Sequence, residues 1–173
     1  MAAAAANVAE HEGRIDVLIN NAGVHGPAGD PGDLTAADAF AVLDVNVIGV
    51  VRTTTAFLPL LRRSDDPVIV NVSSGMGSLA LTHDPDRPES HVIAPLYTSS
   101  KAALTMLTTQ YAKWLEGIRV NAADPGYTAT DLNGHSGPQT VTEGTDAIVA
   151  LATEDPGAGT GRFVSRHGEI AWS

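Results

Sequence analysis

The run Ile15-Asp16-Val17-Leu18-Ile19 passes directly into Asn20-Asn21-Ala22-Gly23, and this junction decides the fold. The run is mostly apolar and β-branched, and it lacks the polar alternation of a strand with one wet face. Such a pattern predicts a strand buried on both faces in a parallel sheet. Pro67-Val68-Ile69-Val70-Asn71-Val72 is a second buried run, Ile118-Arg119-Val120-Asn121-Ala122 predicts a third strand, and Gly161-Arg162-Phe163-Val164 predicts the last strand.

Segments of helical character separate these strands. Thr35 opens a capping box, and the apolar residues that follow predict a helix with Pro59 near its end. The segment from Tyr97 to Leu115 predicts a second long helix, and residues 143–152 predict a short one. Strands that alternate with helices in this way predict a doubly wound parallel sheet of the Rossmann-like α/β class. At 173 residues, the whole chain fits one such domain.

Composition excludes several classes of function. The net charge is −10, from 20 acidic and 10 basic side chains, so the surface lacks the basic stripe that nucleic acids and anionic membranes require. The absence of cysteine excludes disulfides, thiol catalysis and thiolate metal sites. The alanine-rich start lacks the basic region and the apolar length of a signal peptide, and the most apolar window, residues 39–51, carries Asp44 and Asn46. We therefore expect a cytoplasmic protein without a membrane span.

Polar groups follow the predicted strands at their carboxyl ends. Asn20 to Gly23 follow the first strand, Ser73-Ser74 follow the second, and Pro125-Gly126 follow the third. Ligands of open α/β sheets bind outside the carboxyl ends of the strands. Tyr97 begins its helix at the same edge. An amide, a hydroxyl, a phenol and an ammonium are therefore expected to meet in one crevice.

The segment Tyr97-Thr98-Ser99-Ser100-Lys101 places a phenol and an ammonium one helical turn apart. An ammonium close to a phenol stabilises the phenolate, so this spacing predicts that the pKa of Tyr97 lies below its usual value of about 10. A tyrosine with a lowered pKa can exchange protons near neutral pH. The pair is therefore a candidate for proton transfer, although the same offset also occurs by chance in helices without such a role.

Taken together, these motifs resemble those of the classical short-chain dehydrogenase/reductase family. The resemblance covers almost the whole chain and keeps the order of the family's motifs. The matching pieces are Asn20-Asn21-Ala22-Gly23, Asn46 in the helix that follows, Ser74 after the second strand, Tyr97-x-x-x-Lys101, and Pro125-Gly126-Tyr127-Thr128-Ala129-Thr130. Each piece is modest alone, and the combination is specific.

The resemblance implies a role for each matching residue. Tyr97 would give or take the proton, Lys101 would lower the pKa of Tyr97 and hold the nicotinamide ribose, and Ser74 would hydrogen-bond the substrate carbonyl. Asn46 would position water in a proton relay. The implied cofactor site consists of Asn20, Asn21, Ala22 and Gly23 along the adenosine half and Pro125, Gly126, Thr128 and Thr130 at the nicotinamide, together with Tyr97 and Lys101. The implied reaction is hydride transfer between NADP or NAD and a small-molecule carbonyl or secondary alcohol.

One part of the family pattern is missing from the sequence. A full-length member begins with a strand and a glycine-rich turn into a helix, which hold the cofactor pyrophosphate. The series Gly23-x-x-Gly26-x-x-Gly29-x-x-Gly32 follows a strand, but its two prolines and the lack of a prompt helix predict a loop. The residues that would choose between NAD and NADP are also missing. We therefore interpret the chain as N-terminally truncated, with Met1 marking a misplaced start or a truncated gene and residues 15–19 forming an apolar sheet edge.

Two classes of function remain open. The first is the NAD(P)-dependent oxidoreductase, and the second is a non-catalytic remnant that acts only as an oligomerising subunit. Sugar-nucleotide epimerases also use Tyr-x-x-x-Lys, but the segment Asn20 to Gly23 and the short C-terminal region favour the classical branch. The family pairs through helices that correspond to residues 35–61 and 97–115, and the apolar residues of the second helix cover more than one face. We therefore expect a homodimer formed through these helices.

Two loops, residues 75–95 and 127–140, are expected to line the substrate pocket, and neither carries a code for a particular substrate. The first loop contains a crowded set of histidines and acids, and the prolines among them favour a solvated insertion over a metal site. The members of this set are His83, Asp84, Asp86, Glu89 and His91. The remaining histidines are expected at the surface, and they are His11, His25, His135 and His167.

Overall fold

A computed structural model of the chain describes residues 1–27 and 29–173. The helices are α1 (Ala2–His11), α2 (Ala36–Leu43), α3 (Gly49–Leu61), α4 (Leu79–His83), α5 (Pro95–Trp114) and α6 (Val141–Thr153). The strands are β1 (Val17–Asn20), β2 (Val68–Val72), β3 (Arg119–Asp124), β4 (Phe163–Ser165) and β5 (Gly168–Glu169). Short 3-10 turns lie at Pro31–Asp33, Gly75–Gly77, Pro88–His91 and Asp131–Asn133.

The strands form one sheet in the order β1-β2-β3-β4-β5. The first four strands are parallel, and Val68 of β2 stands beside Val17 of β1 and Arg119 of β3. The predicted parallel α/β sheet is therefore confirmed. The sequence did not predict β5, which runs antiparallel to β4 after a tight turn that Gly168 closes with a φ of 121°. An antiparallel partner needs only such a short turn, whereas a parallel partner needs a crossover segment.

Helices cover the sheet on both faces because alternate residues of β2 point in opposite directions. On one face, α6 packs over β2 and its neighbours, and the buried residues there are Val68, Val70, Val72, Ala123, Ala147, Ile148, Leu151 and Val164. On the other face, α3 and α5 pack over the sheet, and the buried residues are Leu61, Ile69, Tyr111, Leu115, Ile118 and Val120. The winding on both faces agrees with the predicted doubly wound class.

The strand β1 lies at one edge of the sheet and pairs with β2 alone among the described residues. Its Val17 and Ile19 side chains remain 38% and 44% exposed. The predicted apolar edge is therefore confirmed, but the prediction that this strand is buried on both faces is wrong. The composition of a strand records the burial it favours, and its neighbours in the fold decide how much burial it receives.

The helices α2 and α3 form one continuous rod through a π-helical turn at Asp44–Ile48. The rod Ala36–Leu61 is long and apolar enough, by length and composition alone, to cross a membrane, with a mean hydropathy of 1.4 and 22% burial in its most apolar window. The chain thus contains one stretch of the length and apolarity that a span needs, and core helices pass the same test. An ion pair between Arg52 and Asp44, with an N···O distance of 2.9 Å, lies on the exposed side of the rod.

Residues 75–95, which were expected to form a loop, contain α4 and two 3-10 turns. Ser78 caps α4, because its hydroxyl oxygen accepts a hydrogen bond from the Leu81 amide at 3.1 Å. Residues near the C-terminus also bind the start of α4. The Ser78 hydroxyl donates to the Ala171 carbonyl at 2.6 Å, and the Leu79 amide donates to the Trp172 carbonyl at 3.1 Å. The segment is therefore ordered by contacts with residues far away in sequence.

Candidate active site

The candidate site is a crevice at the carboxyl ends of β1, β2 and β3. Ser74 follows β2 and begins the 3-10 turn, where its hydroxyl oxygen accepts a hydrogen bond from the Met76 amide at 3.2 Å. Tyr97 lies in the first turn of α5, which Pro95 opens because the fixed φ of proline suits a helix start. The hydroxyl of Ser74 lies against the phenol of Tyr97.

Lys101 lies one turn further along α5 and is only 4% exposed. Its Nζ atom is 5.5 Å from the centre of the Tyr97 ring, and it donates a hydrogen bond to the Val72 carbonyl at 2.8 Å. The structure thus brings together three side chains from two separate segments of the sequence, the residues after β2 and the start of α5. We call Ser74, Tyr97 and Lys101 the crevice trio.

The pKa of Tyr97 differs from what the helical spacing alone predicted. Burial raises the pKa of Tyr97, the Ser74 hydroxyl partly lowers it, and the negative charge of Asp124 raises it further. Burial lowers the pKa of Lys101 to about 8, although Asp124 acts in the opposite direction. The predicted lowering of the Tyr97 pKa is therefore wrong. Spacing reveals the neighbouring ammonium, but the loss of water around both groups has the larger effect.

Asp124 is a residue of the crevice that the sequence analysis missed. It ends β3, and its carboxylate accepts a hydrogen bond from the Gly126 amide at 3.0 Å. A Cβ atom on Gly75 would stand 3.3 Å from Asp124 Oδ2 and 2.7 Å from Glu89 Oε1, so two carboxylates approach the same point. Burial raises the pKa of Asp124, and the charge of Glu89 contributes in the same direction. The available signal was an acid at the end of a central strand, directly before Pro125-Gly126.

Asn46 lies in the π-helical turn and is 1% exposed. Its Oδ1 atom accepts from the Val24 amide at 2.8 Å, and its Nδ2 atom donates to the Val24 carbonyl at 2.9 Å and to the Ser100 hydroxyl at 2.8 Å. Both amide hydrogens are therefore used within the protein. The predicted role in a water relay stays a prediction, and the observed bonds hold the loop after β1 against α5. Single π turns inside α-helices are frequent at functional sites.

The segment after β1 meets the crevice at Gly23. A Cβ atom at this position would stand 3.5 Å from Lys101 Nζ and 3.6 Å from Asn46 Oδ1. The glycine therefore keeps open a small space between the ammonium and the carboxamide. Beyond Gly23 the described backbone is irregular up to a 3-10 turn, and α2 begins only at Ala36. The glycine series from Gly23 to Gly32 thus opens no helix, in agreement with the predicted loop.

The residues predicted along the adenosine half have different environments. The Asn20 amide is buried, donating to Asn71 Oδ1 at 2.8 Å and accepting from the Thr53 hydroxyl at 2.5 Å, so it joins β1 to β2 and α3. Asn21 and Ala22 are exposed beside a surface groove of about 310 Å³. The groove lies along the exposed side of β1.

The residues predicted at the nicotinamide form the turn after β3. The Thr128 hydroxyl is buried and donates to the Pro125 carbonyl at 2.9 Å, which closes the turn. Gly126 adopts a φ of 69°, and a Cβ there would collide with the side chain of Gln139. Thr130 is half-buried at the far end of the turn. Thr128 therefore shapes this wall of the crevice, and Pro125 and Gly126 are its nearest residues to β3.

Of the four histidines predicted at the surface, His11, His135 and His167 are exposed as expected, and His25 is not. His25 is half-buried, and its ring stacks on the ring of Tyr97 with a centroid distance of 4.9 Å and an angle of 17°. His83 and His91 hydrogen-bond backbone carbonyls within their own loop. Within residues 1–27 and 29–173, no three histidine or acidic side chains come together in a group able to hold a metal ion. His25 follows Gly23 by two residues at the carboxyl end of β1, and this position was the available signal.

Comparisons with known proteins identify relatives that match most of the chain. A family model described as short chain dehydrogenase matches residues 1–140. A short-chain dehydrogenase of Penicillium roqueforti is 41% identical over 158 residues, which are 88% of this chain and 62% of that protein. A Myxococcus xanthus protein named C-signal is 35% identical over 166 residues, which are 92% of this chain and 94% of that protein. The chain therefore spans less than two thirds of the first relative and nearly all of the second.

Solved structures give a matching result. The NADPH-bound carbonyl reductase from chicken fatty liver superposes with a TM-score of 0.85 and 30% identity, over 98% of this chain and 71% of that one. Salutaridine reductase from Papaver somniferum superposes with a TM-score of 0.80 and 26% identity, over 94% of this chain and 76% of that one.

Proposed function

The chain belongs to the short-chain dehydrogenase family, and from that membership we propose that it reduces a carbonyl group with a nicotinamide cofactor. The observation that carries the proposal is the crevice trio, in which a hydroxyl, a phenol and an ammonium lie together at the carboxyl ends of the strands. The similarity to the NADPH-bound carbonyl reductase of chicken liver supports the same class of reaction.

Tyr97 would act as the proton donor. Burial raises its pKa, so the phenol keeps its proton throughout the neutral range. A neutral phenol can protonate the carbonyl oxygen while hydride reaches the carbonyl carbon, and the product is an alcohol. The reverse reaction needs a phenolate to accept the proton from the alcohol, and the raised pKa disfavours it. Near neutral pH, Tyr97 is therefore in the protonation state that carbonyl reduction requires.

Ser74 and Tyr97 would hold the same carbonyl oxygen. The Ser74 oxygen already accepts the Met76 amide hydrogen, which orients the serine and leaves its own hydrogen to be donated. Two O–H donors that meet one oxygen stabilise the negative charge that develops there as the hydride arrives. The rigid 3-10 turn and the helix start hold these donors in place before the substrate binds.

The residues near Gly23 fit the ribose end of a nicotinamide cofactor, which would supply the hydride. Lys101 gives one of its hydrogens to Val72, and its other donors can bind ribose hydroxyls. The space that Gly23 leaves beside the ammonium gives access to it. NADP and NAD both remain candidates, and the described residues supply no glycine-rich turn that leads from a strand directly into a helix and would hold a pyrophosphate.

Cofactor titration is the direct test of this proposal. The purified chain is titrated with NADPH and with NADH while the quenching of protein fluorescence is followed, and cofactor oxidation is then measured with a panel of aldehydes and ketones. We expect a dissociation constant below about 1 mM for one of the two cofactors, followed by turnover. Binding of neither cofactor would contradict the enzymatic role.

A second candidate function is that of a non-catalytic subunit partner, and the exposed edge of β1 favours it. An apolar edge strand with unpaired backbone groups is a template for association. The Myxococcus xanthus relative, of which this chain spans nearly the whole length, also has a name that states no reaction. A chain that binds neither dinucleotide but forms a defined complex would support this alternative.

We also propose that the chain forms a homodimer through residues 35–61 and 97–115. We further propose that the protein is located in the cytoplasm. These segments expose large apolar side chains, among them Phe40, Met106 and Trp114, which are 66%, 61% and 77% exposed. Such surfaces favour association. Light scattering after size-exclusion chromatography measures the mass, and Phe40→Asp and Trp114→Asp should each shift it toward the monomer. Cell fractionation of the producing organism tests the location.

A further inference from the structure

The ring of His25 covers one face of the Tyr97 ring. The two centroids are 4.9 Å apart and the planes differ by 17°, which is a stacked arrangement within the usual range for aromatic pairs. No proton-transfer role in the proposed reaction requires this histidine. The contact nevertheless falls on the phenol that the reaction depends on.

The position of His25 is fixed by the residue before it. Val24 is bound through both of its backbone groups to one side chain, since its amide donates to Asn46 Oδ1 at 2.8 Å and its carbonyl accepts from Asn46 Nδ2 at 2.9 Å. Asn46 is buried in the rod formed by α2 and α3. A loop residue held by two hydrogen bonds leaves its neighbour little freedom to move away.

A second set of hydrogen bonds links Asn46 to the backbone of Tyr97. Its Nδ2 atom donates to the Ser100 hydroxyl at 2.8 Å, and that hydroxyl donates to the Tyr97 carbonyl at 2.7 Å. The Asn46 carboxamide therefore positions the backbone of Tyr97 through Ser100. Through Val24 it also positions His25, whose ring covers the Tyr97 ring. The two routes from Asn46 thus end at the two residues whose rings stack, His25 and Tyr97.

We propose that His25 is a positioning residue for Tyr97. The imidazole ring of His25 holds the phenol at a fixed angle and shields one face of the phenol from water. The inference rests on the proposed function for its consequence in catalysis, and on the stacked geometry for its physical content. A tyrosine χ1 rotation toward His25 would swing the hydroxyl away from Ser74 and from a carbonyl oxygen bound there. The stacked ring prevents this rotation by occupying the space that it needs.

Three substitutions separate stacking from the other properties of the imidazole. His25→Phe keeps a flat ring, His25→Gln keeps a polar side chain without a ring, and His25→Ala removes both. The exposed His167 provides the matched control, His167→Ala. Unfolding midpoints of all variants identify any that fail to fold, and the glutamine variant is available if the alanine variant does so.

Two measurements are made on each variant. The ultraviolet titration of Tyr97 is the difference between a variant and the same variant carrying Tyr97→Phe, which removes the signals of the other tyrosines. Steady-state kinetics give kcat and KM. The titration needs no turnover, so it tests the inference even if the proposed function fails.

In His25→Ala and His25→Gln we expect the pKa of Tyr97 to fall, because water reaches the uncovered face, and kcat to fall about tenfold with little change in KM for the cofactor. His25→Phe should retain the titration and most of kcat, and His167→Ala should match the parent protein. An unchanged titration in His25→Ala would overturn the proposal. A phenylalanine variant as impaired as the alanine variant would overturn it as well, because the ring alone would then not be enough.

Discussion

The Nζ atom of Lys101 lies 5.5 Å from the centre of the Tyr97 ring, but its hydrogen bond goes to the Val72 carbonyl and not to the phenol. Both groups are largely removed from water, and burial acts on them in opposite directions. It raises the pKa of the phenol and lowers that of the ammonium. The pKa of Tyr97 therefore moves away from neutral pH, and the pKa of Lys101 moves toward it. These shifts have consequences for activity.

Tyr97→Phe removes the proposed proton donor and leaves the ring in place. Turnover should fall by roughly 10²- to 10⁴-fold, the usual contribution of a positioned general acid, while cofactor binding stays close to that of the parent protein. The measurement is kcat with the best carbonyl substrate, alongside the unfolding midpoint. Tyr111→Phe is the matched control, because it removes a phenol from the same helix outside the crevice. Retained turnover in Tyr97→Phe would remove the role assigned to this residue.

Activity should decline as the pH rises through about 8, because Lys101 loses its proton there. An unfolded lysine keeps its proton up to about 10.4, so between these two values the unfolded chain binds more protons at this site than the folded chain. The contribution of Lys101 to the free energy of unfolding therefore rises with pH over that window. Loss of activity above pH 8 should thus occur without loss of stability from this residue.

Profiles of kcat/KM against pH, with urea unfolding at each pH, check this expectation. Lys101→Gln should have low activity without the limb near pH 8, whereas Lys113→Gln, which changes the exposed lysine of the same helix, should keep it. A parent profile that stays flat to pH 10 would contradict the lowered pKa.

Asp124→Asn should move the falling limb of the pH profile to lower pH. The negative charge of Asp124 raises the pKa of Lys101 against the effect of burial, so removing it lets that pKa fall further. The amide oxygen of asparagine can still accept the Gly126 amide hydrogen, which preserves the turn. The same pH profile provides the measurement, and Asp131→Asn, at an exposed position, serves as control. A limb that stays in place or moves to higher pH would contradict the electrostatic role of Asp124.

Gly77→Ala should destabilise the protein and disturb the crevice. A Cβ at this position would stand 2.8 Å and 2.9 Å from the backbone carbon and oxygen of Lys101, so the 3-10 turn or α5 would have to shift. We expect a loss of about 1–3 kcal/mol in the free energy of unfolding, the usual cost of overpacking. Urea unfolding measures it. Gly157→Ala, with open space around its Cβ, should change stability by less than about 0.5 kcal/mol. Equal stability of the two variants would mean that the close approach at Lys101 is not rigid.

The sequence predicted the elements that carry the fold more closely than it predicted their surroundings. The central strands around Val70 and Val120 were identified because short segments rich in β-branched residues, bounded by turn residues, are typical of buried strands. The exposed face of β1 and the short helix α4 were not predicted. Exposure depends on which strands stand next to β1, and α4 depends on the contacts of Ser78 with C-terminal residues, so local composition carries little information on either.

The candidate site divides in the same way. Ser74, Tyr97 and Lys101 were predicted from motif order and topology, and the structure brings them together. The stacking of His25 and the carboxylate of Asp124 were not predicted, because each contact joins segments that lie far apart in the sequence.

The sequence by itself determined the parallel α/β architecture and the edge of the sheet at which the reactive groups gather. Both follow from local patterns, since strand periodicity and the residues at strand ends are properties of neighbouring positions. Only the tertiary structure decided how those groups are charged and held. Burial depends on every element packed around a side chain, and in this protein it outweighs the one interaction, a cation one turn along the helix, that the spacing of Tyr97 and Lys101 made visible.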